Sequence, residues 1–415
     1  MALANPQSMK AFNIQACLLL LLISVCSAQA QTSILRDTSL VGYTRTALTP
    51  LYYGLGTDRL GGARMETLDS GVVLTITGLA WADSSSKFWR VKLAPSLTAF
   101  VPLAQVIVDT LLPNPPGALT GNWTVSGDSA TSSSGNGFDY VAIRLPARFP
   151  YRSQQQVNPS RLIVDVFGVT PNTNWITQLA SNREIRNVWF EQIADETFRV
   201  YIDLKHSQSW GYSIYYQKNT LLIRVRRPPN KHSLRGLTVA VDAGHGGSNT
   251  GAKGEQSGRF EKELTLDVAN RLKTLLERSG ARVVMTRTTD TLLGPTARIL
   301  TMRKVLPHLL VSIHFNSSGN AAVRGVSTYY KHIGFRPLSQ AILKELLKTG
   351  AAEFGNVGHF NFFFNAPTDY PNALVEGPFL SNSADESLII DDRFRQSMAK
   401  AIRKGIKQFI KLSGR

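Results

Sequence analysis

The stretch LTVAVDAGHGG, residues 237–247, decides the fold prediction, because an apolar run is followed at once by glycine and histidine. A short apolar run bounded by turn residues predicts a buried strand. Beyond it, similar strand patterns alternate with helical patterns: strands at 283–285, 309–313 and 373–375, and helices at 261–279 and 393–412. This alternation predicts an α/β unit over residues 236–415, with a mostly parallel sheet and helices on both faces.

Three polar side chains follow buried strands of this unit. His245 follows the first strand, His314 follows LLVSI, and Glu376 follows ALV. Ligand crevices of open α/β sheets form outside the carboxyl ends of the strands, so we expect these side chains to converge. Glu261 opens the next helix, from which it can turn back toward the same crevice.

The residue types of this predicted site suit zinc. Two imidazoles and one carboxylate, from His245, His314 and Glu261, leave a fourth position open for water, which is the layout of a catalytic zinc site. Bound zinc activates water and polarises a carbonyl, and Glu376 is then the candidate general base. Glu263 is the alternative to Glu261 as a ligand, and each motif taken singly also fits an ordinary turn or core residue.

Three other side chains are candidate substrate contacts. Arg287 and Arg298 would bind carboxylates of a substrate, and Asn316 would orient it. Plainer interpretations stay open: structural or surface roles for the two arginines, and the capping of a turn for Asn316. His359 is predicted to be a loop or core residue rather than a fourth ligand.

The sequence ahead of the α/β unit is rich in strand patterns. Residues 35–111 hold short β-rich runs between Gly and Ser clusters, and residues 118–228 hold longer ones, among them the alternating FRVYIDL. The stretch LLPNPPG separates the two. We therefore predict two small all-β domains. Four aromatic residues of the second are either core residues or exposed sugar-stacking residues: Trp210, Tyr212, Tyr215 and Tyr216.

The first 30 residues predict a secretory signal peptide. Lys10 precedes a leucine-rich run, and Ala28-Gln29-Ala30 follows as a small-x-small cleavage site. The apolar run is too short for a stable transmembrane anchor. The prediction is an exported protein of the periplasm or cell envelope.

Cysteine and charge narrow the function classes further. The two cysteines, Cys17 and Cys26, both lie in the leader, so a mature chain cut after Ala30 would bind metal through His, Asp or Glu. Lipidation of Cys26 is the disfavoured alternative. The formal net charge of +17 favours polyanionic surroundings, and export argues against nucleic acid as the partner.

Four stretches of the α/β unit together resemble a known enzyme family: LTVAVDAGHGGSNTGAKG, EKELTLDVANRLKTLLERSGARVVMTRTTD, LVSIHFN and YPNALVEGPFLSNSADE. Over about residues 236–412 the chain resembles the zinc-dependent N-acetylmuramoyl-L-alanine amidases of the Amidase_3 type. The resemblance implies that His245, Glu261 and His314 bind zinc and that Glu376 is the catalytic carboxylate. It also implies cleavage of the peptidoglycan amide between N-acetylmuramic acid and the L-alanine of the stem peptide.

The upstream segments resemble accessory domains of such enzymes. SRLIVDVFG, together with the later FRVYIDLKHSQSWGYSIYYQKNTLLIRV, resembles the AMIN domain, which targets wall amidases to the envelope. The Trp-containing strand and FVPLAQV of the first segment resemble a bacterial SH3-like barrel. These resemblances imply peptidoglycan as a partner, with a protein activator as a second one.

The chain departs from the family pattern at two points. Glu376-Gly377-Pro378-Phe379 replaces Glu-x-Gly-Phe, and Met302-Arg303 replaces an Ala-Asn pair. Some relatives carry a plugging helix between the second histidine and the final glutamate, and the sequence does not decide whether this chain does. Two other functions stay open: a catalytically silent wall-binding or regulatory protein, and a zinc peptidase that cuts within the stem peptide.

Overall fold

The computed structural model describes residues 36–55, 63–82, 86–109, 117–128, 137–230 and 232–414. The predicted signal peptide and nearly all of the predicted linker at 111–117 lie outside the described residues. Within the part of the chain that is described, no helix is long and apolar enough to cross a membrane.

The first described unit is a seven-stranded antiparallel sheet. Its strands, β1 to β7, are Arg36–Thr44, Thr49–Tyr52, Arg64–Leu68, Val73–Trp81, Lys87–Ala94, Leu97–Pro102 and Val106–Asp109. They lie in the order β3-β2-β6-β5-β4-β1-β7. In β4 every second residue is buried, because successive side chains of a strand point to opposite faces of the sheet. A small all-β unit is therefore confirmed, and the SH3-like resemblance stays a prediction.

The second unit is built mainly from two packed sheets, which are antiparallel except for the parallel pairing of β14 with β9. Strands β8 to β18 are Ala118–Leu119, Trp123–Gly127, Phe138–Arg144, Tyr151–Val157, Ser160–Phe167, Val169–Thr170, Ile176–Gln178, Ile185–Ala194, Thr197–Leu204, Tyr212–Gln217 and Thr220–Arg226. The sheet orders are β14-β9-β10-β18-β17 and β11-β12-β16-β15. Apolar residues from both sheets, such as Val141 and Val164, share one core. The predicted second all-β unit is thus confirmed.

The third unit is the α/β unit. Its strands β19 to β24 are Thr238–Ala243, Arg282–Met285, Leu309–Phe315, Val326–Tyr329, Glu353–Val357 and Asn372–Gly377. Helices α1 to α5 are Glu261–Glu277, Pro295–Val305, Arg336–Leu346, Ser383–Ile390 and Asp392–Leu412. The sheet order is β20-β19-β21-β24-β22-β23, and only the β22–β24 pairing is antiparallel. The predicted mostly parallel sheet is confirmed.

Helices cover both faces of this sheet. One face, with Val241 and Val311, packs against α1, α3 and α5. The other face, with Ala240 and Leu310, packs against α2 and also against Leu48 of the first β unit. The α/β sheet is therefore covered on both faces, and one face also contacts the first β unit.

The β units are joined to the α/β unit by buried contacts. Trp210 packs against Phe409 of α5, with ring centroids 5.5 Å apart, and the backbone N–H of Tyr212 donates to Thr368 O at 2.8 Å. Trp210, Tyr212 and Tyr216 are all buried. For these three aromatic residues the core interpretation is confirmed.

Candidate metal centre

The three predicted metal ligands meet at the carboxyl ends of β19 and β21. His245 lies in the loop after β19, His314 is the sixth residue of β21, and Glu261 is the first residue of α1. His314 Nδ1 lies 3.0 Å from Glu261 Oε1 and 3.1 Å from His245 Nε2, and the last two atoms are 3.1 Å apart. Within the described residues these three side chains form a group able to hold a metal ion.

The size of this triangle fits zinc. A tetrahedral zinc ion with bonds of about 2.1 Å separates its ligand atoms by roughly 3.4 Å. The three observed separations are slightly shorter, so the donor atoms already converge on one point. A single proton between them cannot satisfy all three atoms, because a hydrogen bond is directional. The donor set of two imidazoles and a carboxylate therefore fits a divalent ion better than a plain hydrogen-bond network.

Neighbouring groups orient the three ligands. His245 Nδ1 lies 2.8 Å from Asn249 Oδ1, which directs Nε2 toward the cluster. Glu261 accepts two backbone hydrogen bonds, from Ala252 N at 2.9 Å and from Phe315 N at 3.0 Å. The ligands are thus held in place by the loop and the strand end themselves.

The electrostatics of the cluster favour a charged carboxylate. Burial opposes charge on Glu261, but hydrogen bonds and attraction from His245 and His314 prevail and hold the pKa of Glu261 below its usual range. Burial likewise opposes protonation of His245, yet the bond to Glu261 prevails and raises the pKa of His245. A negative charge at the centre attracts a cation.

Two glycines make room for the ligands. A Cβ on Gly244 would lie 2.4 Å from the ring of His314, so any larger residue would displace that imidazole. Gly251 has a φ of +68°, and its Cβ would lie 2.5 Å from Glu261 Oε2. Glycine is required at both positions for the ligands to approach the backbone closely.

Glu376 lies on the strand next to His314. The pairing of β21 with β24 sets Glu376 opposite His314, and paired residues of neighbouring strands point to the same face, about 4.8 Å apart. Gly377 is needed after it, because a Cβ there would meet the ring of Phe315 at 2.5 Å. Packing against Phe315 therefore accounts for the glycine at position 377.

Arg287 and Arg298 support the loop of His245. Arg298 is 5% exposed and donates to Asp242 Oδ1 at 2.7 Å and to His245 O at 2.5 Å. Arg287 is 4% exposed and donates to the carbonyls of Ala243 and Gly244. Because these donors are engaged by the protein, the contacts do not support the prediction that either arginine binds substrate.

Sequence reasoning missed the acid that anchors this loop. Asp242 is fully buried and accepts from Arg298, from Thr286 Oγ1 at 2.6 Å and from Ser312 Oγ at 2.6 Å. Burial opposes its charge, but Arg298 and these bonds hold the pKa of Asp242 below its usual range. The sequence did carry a signal for this role: an aspartate at the end of an apolar strand is expected to be buried, and a buried carboxylate needs a partner.

The remaining candidates lie around the cluster. Asn316 is half-buried, accepts from Ser317 N at 3.0 Å as a turn-capping residue does, and donates to the Tyr329 hydroxyl at 3.4 Å. Glu263 is half-exposed and pairs with Arg259 at 3.2 Å, away from the cluster. His359 is an exposed loop residue. Helix α3, which lies between His314 and Glu376 in the chain, packs against α5.

Family models match two parts of the chain. Residues 239–408 match the family described as N-acetylmuramoyl-L-alanine amidase, and residues 130–225 match the AMIN domain. Both matches agree with the resemblances noted in the sequence for these segments.

Curated relatives include probable cell wall amidases. The probable cell wall amidase LytH of Staphylococcus aureus is 33% identical over 178 residues, which is 43% of this chain and 60% of that protein. The Staphylococcus epidermidis protein of the same name is 32% identical over 181 residues, with the same coverage. The chain thus spans 60% of the length of these relatives.

Solved structures similar to this chain include two amidases. One is the catalytic domain of CwlV, an N-acetylmuramoyl-L-alanine amidase from Bacillus (Paenibacillus) polymyxa var. colistinus. It is 31% identical with a TM-score of 0.40, covering 42% of this chain and 97% of that one. The N-acetylmuramoyl-L-alanine amidase from Clostridium difficile 630 is 28% identical with a TM-score of 0.41, covering 42% and 96%.

Proposed function

We propose that this chain is an exported zinc-dependent N-acetylmuramoyl-L-alanine amidase that hydrolyses the bond between N-acetylmuramic acid and the L-alanine of the stem peptide. The observation that carries the proposal is the triangle of His245 Nε2, Glu261 Oε1 and His314 Nδ1, with sides of 3.0 to 3.1 Å. The family match over residues 239–408 supports the same reaction.

His245, Glu261 and His314 would hold the zinc ion. When bound, zinc supplies a Lewis acid for the amide carbonyl and activates a water molecule. Glu376, on the strand beside His314, takes a proton from the attacking water and passes it to the departing nitrogen of L-alanine. Asp242, Arg298 and Arg287 keep the His245 loop in the conformation that directs its imidazole to the cluster.

The β units would keep the enzyme at its substrate. We assign the AMIN-matching segment and the SH3-like first unit to wall association, in line with the net charge of +17 and the anionic polymers of cell walls. The assigned boundaries are residues 1–30 for the signal peptide, 35–111 and 118–228 for the β units, and 236–415 for the catalytic unit. Location in the periplasm or cell envelope, and a protein activator, belong to the same proposal.

The test compares purified wild-type protein with Glu376→Ala on purified sacculi. We expect the variant to bind zinc normally and to release stem peptide about 10² to 10⁴ times more slowly, the range for loss of a general base. Glu353→Ala is the matched control, because Glu353 is an exposed glutamate on β23 of the same sheet. Zinc content and released peptide are measured for all three proteins.

Product analysis distinguishes the alternatives. The proposed amidase yields peptides with a free amino terminus on L-alanine, and mass spectrometry detects them directly. Shortened peptides, with L-alanine still joined to the glycan, would instead identify a peptidase. Zinc binding without any release would identify a silent wall-binding protein, and equal release by wild type and Glu376→Ala would remove Glu376 from its assigned role.

A further inference from the structure

An aromatic segment, Phe360–Phe364, forms one wall of the metal cluster. The edge of the Phe362 ring meets the imidazole of His314, with centroids 5.5 Å apart and planes at 86°. Phe360 packs against Tyr329 at 4.6 Å. The segment contains no strand and only a short 3-10 turn at Phe363–Asn365. Its position therefore depends on side-chain contacts and on a few backbone bonds, such as that from Phe360 N to Tyr330 O at 3.1 Å.

The first β unit contacts this segment from the other side through Arg64, the first residue of β3. The Arg64 guanidinium carbon lies 4.8 Å from the centroid of the Phe363 ring. The backbone N–H of Arg64 lies 3.4 Å from Asn361 Oδ1, and Arg64 O accepts from Lys331 Nζ at 3.2 Å. Two units separated by more than two hundred residues in the chain are thus joined beside the metal cluster.

The environment of Arg64 shows that the aromatic contact is its main interaction. Arg64 is 8% exposed, and among the residues that the structure describes its Nε and Nη1 atoms have no hydrogen-bond partner. The nearby carboxyl of Glu66 is engaged by Ser153 and Thr67 instead. Two buried guanidinium nitrogens without hydrogen bonds are costly, and the contact with the face of Phe363 compensates part of that cost.

We propose that Arg64 is a positioning residue for the metal centre: through the contact of its guanidinium with Phe363, the first β unit holds Phe362 against His314. The apolar shell of a metal site controls solvent access and ligand orientation, so Arg64 would act on metal affinity without touching the metal. The effect of Arg64 on turnover rests on the proposed function. Its effect on the position of the aromatic segment does not.

The first experiment measures amide hydrogen exchange in residues 358–366 of the full-length, zinc-free protein. We expect Arg64→Ala to accelerate exchange there by about tenfold, the size of a desolvated cation–π contact. Arg90→Ala is the control, because Arg90 lies in the same β unit and pairs with Asp37 and Thr77 of that unit. Unchanged exchange in Arg64→Ala would overturn the proposal.

The second experiment measures zinc affinity by competition with a chelator. Arg64→Ala should weaken zinc binding about threefold to tenfold, Arg64→Lys should recover part of the loss because it keeps the cation, and Arg90→Ala should have no effect. If exchange in the segment rises but zinc affinity does not change, Arg64 holds the segment without positioning the ligand, and the proposal is wrong.

A variant in the α/β unit, Phe363→Leu, tests the same contact if Arg64→Ala does not fold. Phe363→Leu removes the aromatic face under the guanidinium, and it should reproduce the exchange and zinc effects. In the double variant the two effects should not add, because both substitutions remove one contact. Fully additive effects would contradict the proposal that both residues act through their contact with each other. A protein that releases no peptide yet gives these responses would refute the proposed function and keep this inference.

Discussion

Two buried carboxylates in different regions of the molecule each bind imidazole, and they differ in what they can do. In the second β unit, a β-sandwich, Glu184 is 2% exposed. Its Oε2 lies 2.5 Å from Nδ1 of His206, which is half-exposed. In the α/β unit, Glu261 is 4% exposed and one of its oxygens contacts both His245 and His314.

The pKa values of the two carboxyls move in opposite directions. Burial raises the pKa of Glu184 to about 7, although His206 opposes the shift. Burial also acts on Glu261, but two imidazoles outweigh it and lower the pKa of that carboxyl. One imidazole beside the buried acid Glu184 gives a local pair, whereas two imidazoles around one oxygen of Glu261 form the group that we propose to bind zinc.

Of the variants that test the distinction between Glu184 and Glu261, Glu261→Gln is expected to have the largest effect. We expect zinc affinity to fall by more than about a hundredfold, the upper end for changes outside the ligand shell, and peptide release to fall with it. The reason is that the amide oxygen carries no charge to offset the ion. Metal content after dialysis and competition titration measure the effect.

The matched control for that variant is Glu184→Gln, a buried acid beside one imidazole in the β-sandwich unit. Its zinc affinity should equal that of wild type. If Glu184→Gln lost zinc as Glu261→Gln does, the distinction between the two carboxylates would be wrong.

The second prediction concerns pH and uses Glu184 itself. A carboxyl whose pKa is raised from 4.5 to about 7 binds a proton more tightly in the folded state, so its stabilising effect is present below pH 4.5 and lost as pH rises through 7. Relative to wild type, Glu184→Gln should gain about 3 kcal/mol in the free energy of unfolding between pH 4.5 and pH 8. Urea unfolding at both pH values measures this, and a gain that is independent of pH would contradict it.

The third prediction concerns the support of the His245 loop. Asp242→Asn leaves Arg298 without its buried counterion, so the carbonyls that Arg298 holds are expected to shift. Zinc affinity should fall about tenfold, within the range for groups that orient a ligand. Asp203→Asn is the control, because Asp203 pairs with Arg161 inside the second β unit and not in the loop of His245. A zinc affinity for Asp242→Asn equal to that of Asp203→Asn would exclude the role.

The smallest effect is expected from Glu263→Gln, which tests the alternative ligand. Glu263 is half-exposed and pairs with Arg259, which lies just before the start of α1. Surface pairs of this kind contribute about 0.5 kcal/mol or less, so stability should change by no more than that, and zinc affinity should not change. A clear loss of zinc would place Glu263, rather than Glu261, in the ligand shell.

Local pattern predicted much of the α/β unit. The helix predicted at 261–279 is observed as Glu261–Glu277, and the closing helix predicted at 393–412 is Asp392–Leu412. Both carry apolar residues at helical spacing against a core, and such patterns are largely local. Helices α2 and α3 were not predicted. The residues of α2 show almost no segregation of apolar from polar side chains along the helix, so its sequence carries little signal.

The residue types of the candidate site and their convergence could be predicted from the sequence, because parallel strands bring their carboxyl ends to one edge. The structure places His314 and Glu376 in the last residues of their strands rather than after them. It was the folded structure that showed the donors of Arg287 and Arg298 directed into the loop of His245. It alone joined Arg64 of the first β unit to Phe363 beside the metal cluster. Such contacts link residues far apart in the chain through packing, and no local pattern records which distant surface will cover a side chain.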